Sequence, residues 1–202
     1  METAPARCAC AGCWVLEELQ RPYRVQLVLF PPRVRQPAFL EENPLGSLPL
    51  FVDGAMRLTE SMAICDYLVA RHAPTPLAVG PDEPGFAAWR QFCWYGEANL
   101  MPPIGTLVGT MLLTPPEQRP AKPVDDARAL LARRLRPVGE ALAGAEYLAA
   151  GRFTLADVSV GYSLGLAAQL GVGDLFTEAM AFLERLHARP AYQRVAVPVN
   201  TP

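Results

Sequence analysis

The spacing of apolar positions changes period several times over the first seventy residues and then settles into one period for the rest of the chain. Over residues 10–20, Trp14, Val15, Leu16 and Leu19 supply apolar positions while Glu17 and Glu18 face water, which predicts a helix. Residues 23–30 alternate around Val25, Leu27 and Leu29, which predicts a strand that Pro31 and Pro32 stop. A short helix is expected over residues 37–42, ending at Asn43-Pro44, with Gly46 as a turn residue. Residues 48–52 and 56–58 read as two short strands joined by Asp53-Gly54, a strong hairpin signal. The helical period returns over residues 60–71, where Met62, Ile64, Cys65, Leu68 and Val69 form the apolar face. With a weak strand over residues 1–4, the order predicts a small mixed sheet carrying helices on both faces.

Residues 73–84 then place Pro74, Pro76, Pro81, Pro84 and Gly80 close together. Such a stretch neither continues a helix nor builds a central strand, so it is the expected boundary between domains at 1–73 and 84–202. Beyond it helices are expected at about 84–113, 124–143, 155–171 and 175–188, the first kinked or broken by Pro102-Pro103. Thr154 and Asp157 have the spacing of a capping box, in which each side chain satisfies a free backbone N–H at a helix start. The second part therefore reads as an all-helical bundle. No internal repeat or low-complexity segment is visible.

Composition narrows the picture without changing it. Of 202 residues, 51% are hydrophobic and 19% charged, and the net charge is −2, as expected of a chain with a real core. No Lys/Arg cluster stands out, so no nucleic-acid partner is expected. The longest apolar runs fall far short of the ~20 residues of a membrane span. Residues 1–7 lack a basic start followed by an apolar stretch, so no secretory leader is expected. The five cysteines are an odd number, with Cys8, Cys10 and Cys13 crowded together and Cys65 and Cys93 alone. Free thiols in a reducing, cytoplasmic compartment are the expectation.

Three segments carry candidate chemistry. In Asn43-Pro44-Leu45-Gly46-Ser47-Leu48-Pro49-Leu50, a proline interrupts a strand-like run and removes a ladder donor. Either this is an edge strand with a trans proline, or the Leu48–Pro49 bond is cis and Leu48 offers its N–H and C=O to a ligand. In Leu58-Thr59-Glu60-Ser61 a helix begins, and its free N–H donors suit a carboxylate. Ser61 would add a hydroxyl and Glu60 would accept from an ammonium group, although Thr59 or Ser61 could simply cap the helix. Cys8, Cys10 and Cys13 invite a zinc reading, but the fourth ligand would have to be Cys65, Cys93, His72 or His187, none at a recognisable spacing; no metal is expected.

Taken together, these segments resemble the cytosolic glutathione S-transferases over almost the whole chain. Residues 43–50 resemble the family's Asn-Pro-x-Gly-x-Val-Pro stretch, with Leu48 for valine. Residues 58–64 look like its Leu-Thr-Glu-Ser-x-Ala-Ile. Phe153-Thr154-Leu155-Ala156-Asp157 is similar to its capping box, and Arg189-Pro190-Ala191-Tyr192 to its C-terminal helix ending. The resemblance implies an α/β thioredoxin-like N-terminal domain plus an all-α C-terminal bundle. It implies glutathione as co-substrate, with Leu48 and cis Pro49 on the cysteinyl backbone and Glu60 and Ser61 on the γ-glutamyl group. Asp157 is then a folding residue.

The family places a Tyr, Ser or Cys near the mouth of the first helix to favour the glutathione thiolate. Aligning Glu17-Glu18-Leu19 puts Cys8 where bacterial, beta-class enzymes carry their cysteine. A one-residue slip selects Arg7 or Ala9, and Cys10 is the next candidate. A pocket for a small hydrophobic electrophile would lie between the domains, with Trp89, Trp94, Tyr95 and Asn99, besides Phe92 and Met101, as candidate lining. A homodimer is implied by the same resemblance. The expected reaction is addition of the thiolate to the electrophile. Thiol–disulfide exchange or dehalogenation through Cys8, isomerisation, and a non-catalytic scaffold are the alternatives.

Overall fold

Helices carry most of the computed structural model, which describes residues 10–31 and 35–196. The chain divides into two units, one running to Ala73 and taking back the residues from Pro190 onward, the other Pro74–Arg189.

In the first unit, α1 (Ala11–Glu18) begins at Cys10, whose extended backbone ends the preceding chain and whose Sγ accepts the N–H of Cys13 at 3.2 Å. Trp14, Val15 and Leu16 are buried. A short α2 (Phe39–Glu42) follows, anchored by buried Phe39. β1 (Leu50–Asp53) and β2 (Met56–Thr59) pair antiparallel, with Leu50 opposite Thr59 and Asp53 opposite Met56. The hairpin loop is therefore Gly54-Ala55, and Gly54 takes φ 58°, a backbone conformation open to glycine. α3 (Ser61–Arg71) buries Met62, Ile64, Cys65, Leu68 and Val69, the face its period marked out. It packs on α1, where Gly12 leaves room for Ile64: a Cβ there would lie 3.1 Å from Ile64 Cγ2.

The strand expected over residues 23–30 is absent; residues 21–29 form no regular element. Val25 is 36% and Leu29 54% exposed, so the alternation does not mark a buried face. Alternation yields a strand only where a neighbouring strand supplies the ladder. Here Leu29 N–H instead donates to Gln36 Oε1 at 3.1 Å. The other expected partner, over residues 1–4, lies outside the described residues. α9 (Pro190–Ala196) returns to α1, where Tyr192 meets Trp14 edge-on with ring centroids 4.9 Å apart. Arg194 donates to the Glu17 carboxylate, and that hydrogen bond holds the Glu17 carboxyl below its usual range.

The second unit is helical. α4 (Phe86–Tyr95), a π turn (Gly96–Leu100) and α5 (Met101–Met111) follow one another. α6 (Ala121–Leu142), α7 (Leu155–Gln169) and α8 (Met180–His187) complete it. α7 is buried almost all round, so it lies in the core of the unit rather than on its surface. α4 and the π turn lie against it. Gly96 makes this approach possible, since a Cβ there would sit 2.5 Å from the Ser159 carbonyl oxygen.

The capping box at the start of α7 is complete. Asp157 Oδ2 accepts Thr154 N–H at 2.7 Å, its Oδ1 accepts Leu148 N–H at 2.9 Å, and Thr154 Oγ1 accepts Ala156 N–H at 3.3 Å. The helix expected over residues 84–113 is interrupted next to Pro102 and Pro103 by the π turn, and the two prolines occupy the first turn of α5, where prolines are tolerated.

Candidate functional site

The loop of residues 43–49 is held from within. Buried Asn43 donates through Nδ2 to the Ser47 carbonyl at 2.8 Å, and Gly46 N–H bonds the Asn43 carbonyl at 2.9 Å. Gly46 has φ 64°. The loop ends in a cis Leu48–Pro49 bond, and β1 starts at Leu50. Leu48 is 41% exposed, an apolar side chain left outside the core.

Across the hairpin, β2 delivers Thr59 next to Leu50 and leads straight into Glu60 and Ser61. Glu60 is exposed and has φ 70°, ψ 113°, outside the regions that non-glycine residues ordinarily occupy. It precedes α3, whose first turn carries no side-chain cap. The first intrahelical bond is Ile64 N–H to Glu60 C=O at 3.0 Å, so the main chain at Ser61, Met62 and Ala63 presents the donors that a helix start leaves over. β1, β2 and the start of α3 thus bring Leu48, Pro49, Glu60 and Ser61 to neighbouring positions of one unit. Their arrangement suits a ligand with an anionic end and a peptide-like backbone.

At the start of α1, Cys10 and Cys13 stand with their sulfurs 2.8 Å apart, both partly exposed. Cys8 lies outside the described residues. In the sequence the two stood out as part of the Cys8, Cys10 and Cys13 cluster read for zinc; the signal for the pair itself is its C-x-x-C spacing. Among the described residues no group of three or more His, Cys, Asp or Glu is placed to hold a metal ion.

The expected pocket residues have defined places in the second unit. Trp89 is buried and donates through Nε1 to the Leu77 carbonyl at 3.2 Å, while Trp94 is 46% exposed. Tyr95 Oη donates to the Arg134 carbonyl at 2.9 Å, and burial raises its phenol above the usual value. The Asn99 carbonyl accepts from Arg134 Nη1 at 2.7 Å. A cavity of about 350 Å³ lies elsewhere in this unit, between α5 and α6, lined by Pro102, Pro103, Thr106, Pro123, Asp126 and Leu130. None of the four expected residues lines it.

Comparison with known proteins bears on what this arrangement does. Residues 5–70 match the family "Glutathione S-transferase, N-terminal domain" and residues 100–190 the family "Glutathione S-transferase, C-terminal domain". Glutathione S-transferase 1 of Zea mays is 32% identical over 200 residues, covering 94% of this chain and 89% of its own. A solved structure described as glutathione S-transferase III in apo form superposes with a TM-score of 0.79 at 29% identity, covering 95% of this chain and 93% of its own. Another, described as glutathione S-transferase-I bound with lactoylglutathione, gives a TM-score of 0.76 at 25% identity over 94% and 93% of the two chains. Curated relatives include plant and fungal proteins, and the bacterial, beta-class affinity suggested by Cys8 finds no support among them.

Proposed function

Because this chain belongs to the glutathione S-transferase family, with its thioredoxin-like and helical domains, we propose that glutathione lies along residues 48–49 and the start of α3. The protein is a glutathione transferase, and glutathione is its co-substrate. The uncapped start of α3, entered through the strained backbone of Glu60, is the observation that carries the reading. Strain of about 1–3 kcal/mol at a non-glycine residue persists where the surrounding structure holds it, and such positions cluster at ligand sites.

In this reading the α3 N–H groups and the Ser61 hydroxyl take the γ-glutamyl carboxylate, and Glu60 takes the ammonium group. Leu48 pairs its main chain with the cysteinyl residue. By the family alignment of the sequence, Cys8 is assigned the activating role, in which its thiol would donate to the glutathione sulfur and favour the thiolate. Cys10 is the weaker candidate for that role, since its sulfur is engaged with Cys13. The thiolate then attacks a small hydrophobic electrophile held beside it, and the acceleration comes from thiolate stabilisation and placement. Trp94, the most exposed of the four expected pocket residues, is the one assigned to the electrophile. A homodimer in the cytoplasm completes the proposal; no helix among the described residues is long and apolar enough to cross a membrane.

Titration with glutathione, following the ultraviolet absorbance of its thiolate near neutral pH, tests the reading. Saturable binding with thiolate forming below the free thiol value of ~8.5 is expected, and Cys8→Ala should lose the thiolate while keeping the binding. Absence of any saturable binding would refute the site.

A further inference from the structure

We infer that Cys10 and Cys13 form a redox-active dithiol that cycles to an intramolecular disulfide and reduces small disulfides such as glutathione disulfide. This activity is separate from thiolate transfer and does not depend on the glutathione site proposed above.

Five observations carry it. The sulfurs are 2.8 Å apart, in contact but unbonded, so a small side-chain rotation closes the bond of ~2.05 Å. Cys10 is the N-cap of α1 and Cys13 lies in its first turn, the C-x-x-C placement in which a helix start faces the leading sulfur. The Cys13 N–H already donates to Cys10 Sγ at 3.2 Å, and the positive end of the helix lies beside it, so negative charge on that sulfur is met by the protein. Both residues are partly exposed, unlike Cys65 and Cys93, which are buried and inert to a disulfide in solution. Between them Gly12 packs against Ile64 of α3, which fixes the turn that carries the pair.

Cys10 is the attacking thiol. Its thiolate displaces one half of glutathione disulfide, forming a bond between Cys10 Sγ and the other half. The first glutathione leaves as a thiolate and takes up the proton Cys10 gave up. Cys13, losing its proton, attacks Cys10 Sγ; the second glutathione leaves with that proton, and the Cys10–Cys13 disulfide remains. Two electrons pass from the dithiol to the substrate disulfide, and two molecules of glutathione are released. The reverse sequence restores the dithiol.

The test uses the full chain carrying Cys8→Ser, so that Cys8 cannot pair with either thiol. The protein is equilibrated in buffers of reduced and oxidised dithiothreitol, alkylated, and analysed by peptide mass. Cys10 and Cys13 are expected to lose alkylation together, at one midpoint, in a peptide lighter by two hydrogens. With glutathione disulfide in place of dithiothreitol, a further Cys13→Ser change is expected to trap a glutathione adduct on Cys10, whereas Cys10→Ser should fail to build one on Cys13. Separate oxidation of the two thiols, or persistence of both in the most oxidising buffer, would overturn the inference. Circular dichroism of each serine variant verifies the fold. Because the dithiothreitol arm needs no glutathione, a failure of the glutathione site would leave its outcome unaffected.

Discussion

Arg134 Nη1 donates to the carbonyl oxygen of Asn99 at 2.7 Å, and Pro103 explains why. Pro103 has no N–H, so the residue four positions on cannot donate to this carbonyl as it would in an α-helix. Arg134 of α6 fills the gap, and its own carbonyl accepts Tyr95 Oη at 2.9 Å. The π turn, α4 and α6 are thereby tied at one point. Arg134→Ala should destabilise the protein by about 1.5–3 kcal/mol, the range for a hydrogen bond to a charged group. In a Pro103→Ala background, where an N–H is restored, the same change should have a smaller effect. Urea unfolding of the four proteins gives the coupling, and additivity would show that the proline is irrelevant.

Asp157 predicts a pH dependence of stability. Burial pushes its carboxyl up to about 6, outweighing the donors at Leu148 and Thr154 that pull it down. The folded protein therefore holds a proton there that the unfolded chain, with a value near 3.9, has released. For an acid with a raised value the contribution is full below the unfolded value and is lost as pH rises through the folded one. From about pH 4 to pH 6 it should fall by ~3 kcal/mol, then stay level. Glu17, whose value is lowered by Arg194, slopes the other way, so the quantity to measure is the difference between the wild type and Asp157→Asn. Denaturant unfolding at several pH values gives it; a difference that rises with pH, or none, contradicts the assignment.

Glu60 separates binding from folding. Replacing a residue at φ 70° by glycine relieves backbone strain, offset in part by the entropy glycine adds to the unfolded chain. Glu60→Gly should leave Tm unchanged or slightly higher, while raising KM for glutathione by roughly tenfold through loss of a charge-assisted hydrogen bond. A fall in Tm with unchanged KM would make Glu60 a structural residue only.

Two glycines of the helical unit should respond oppositely to alanine. At Gly96 the new methyl would meet the Ser159 carbonyl at 2.5 Å, so Gly96→Ala should destabilise by about 1–3 kcal/mol through overpacking. At exposed Gly105, inside α5, a Cβ meets nothing within 4 Å, and Gly105→Ala should stabilise by up to ~1 kcal/mol. Thermal denaturation of the two variants distinguishes them directly, and equal shifts would refute the close approach at Gly96.

The sequence by itself determined those features whose cause is local. The apolar face of α3, the Thr154–Asp157 box and the hairpin around Gly54 follow from side-chain period, capping chemistry and a glycine conformation, each set within a few residues. In the Asn43–Leu50 stretch, by contrast, the sequence marked the site but left cis and trans open at Leu48–Pro49, and the folded chain takes cis. Tertiary structure decided what depends on a distant partner. The alternation over residues 23–30 is a strand pattern without a described ladder to complete it. Tyr95 and Asn99, pocket candidates by the family resemblance, are tied to Arg134, a residue more than thirty positions away that no local signal connects to them. Glu60's strained backbone is imposed by the junction of β2 with α3, and no side-chain type announces it. Hydrogen-bond partners and backbone strain are properties of the folded chain, and period and composition report only which residues can take part.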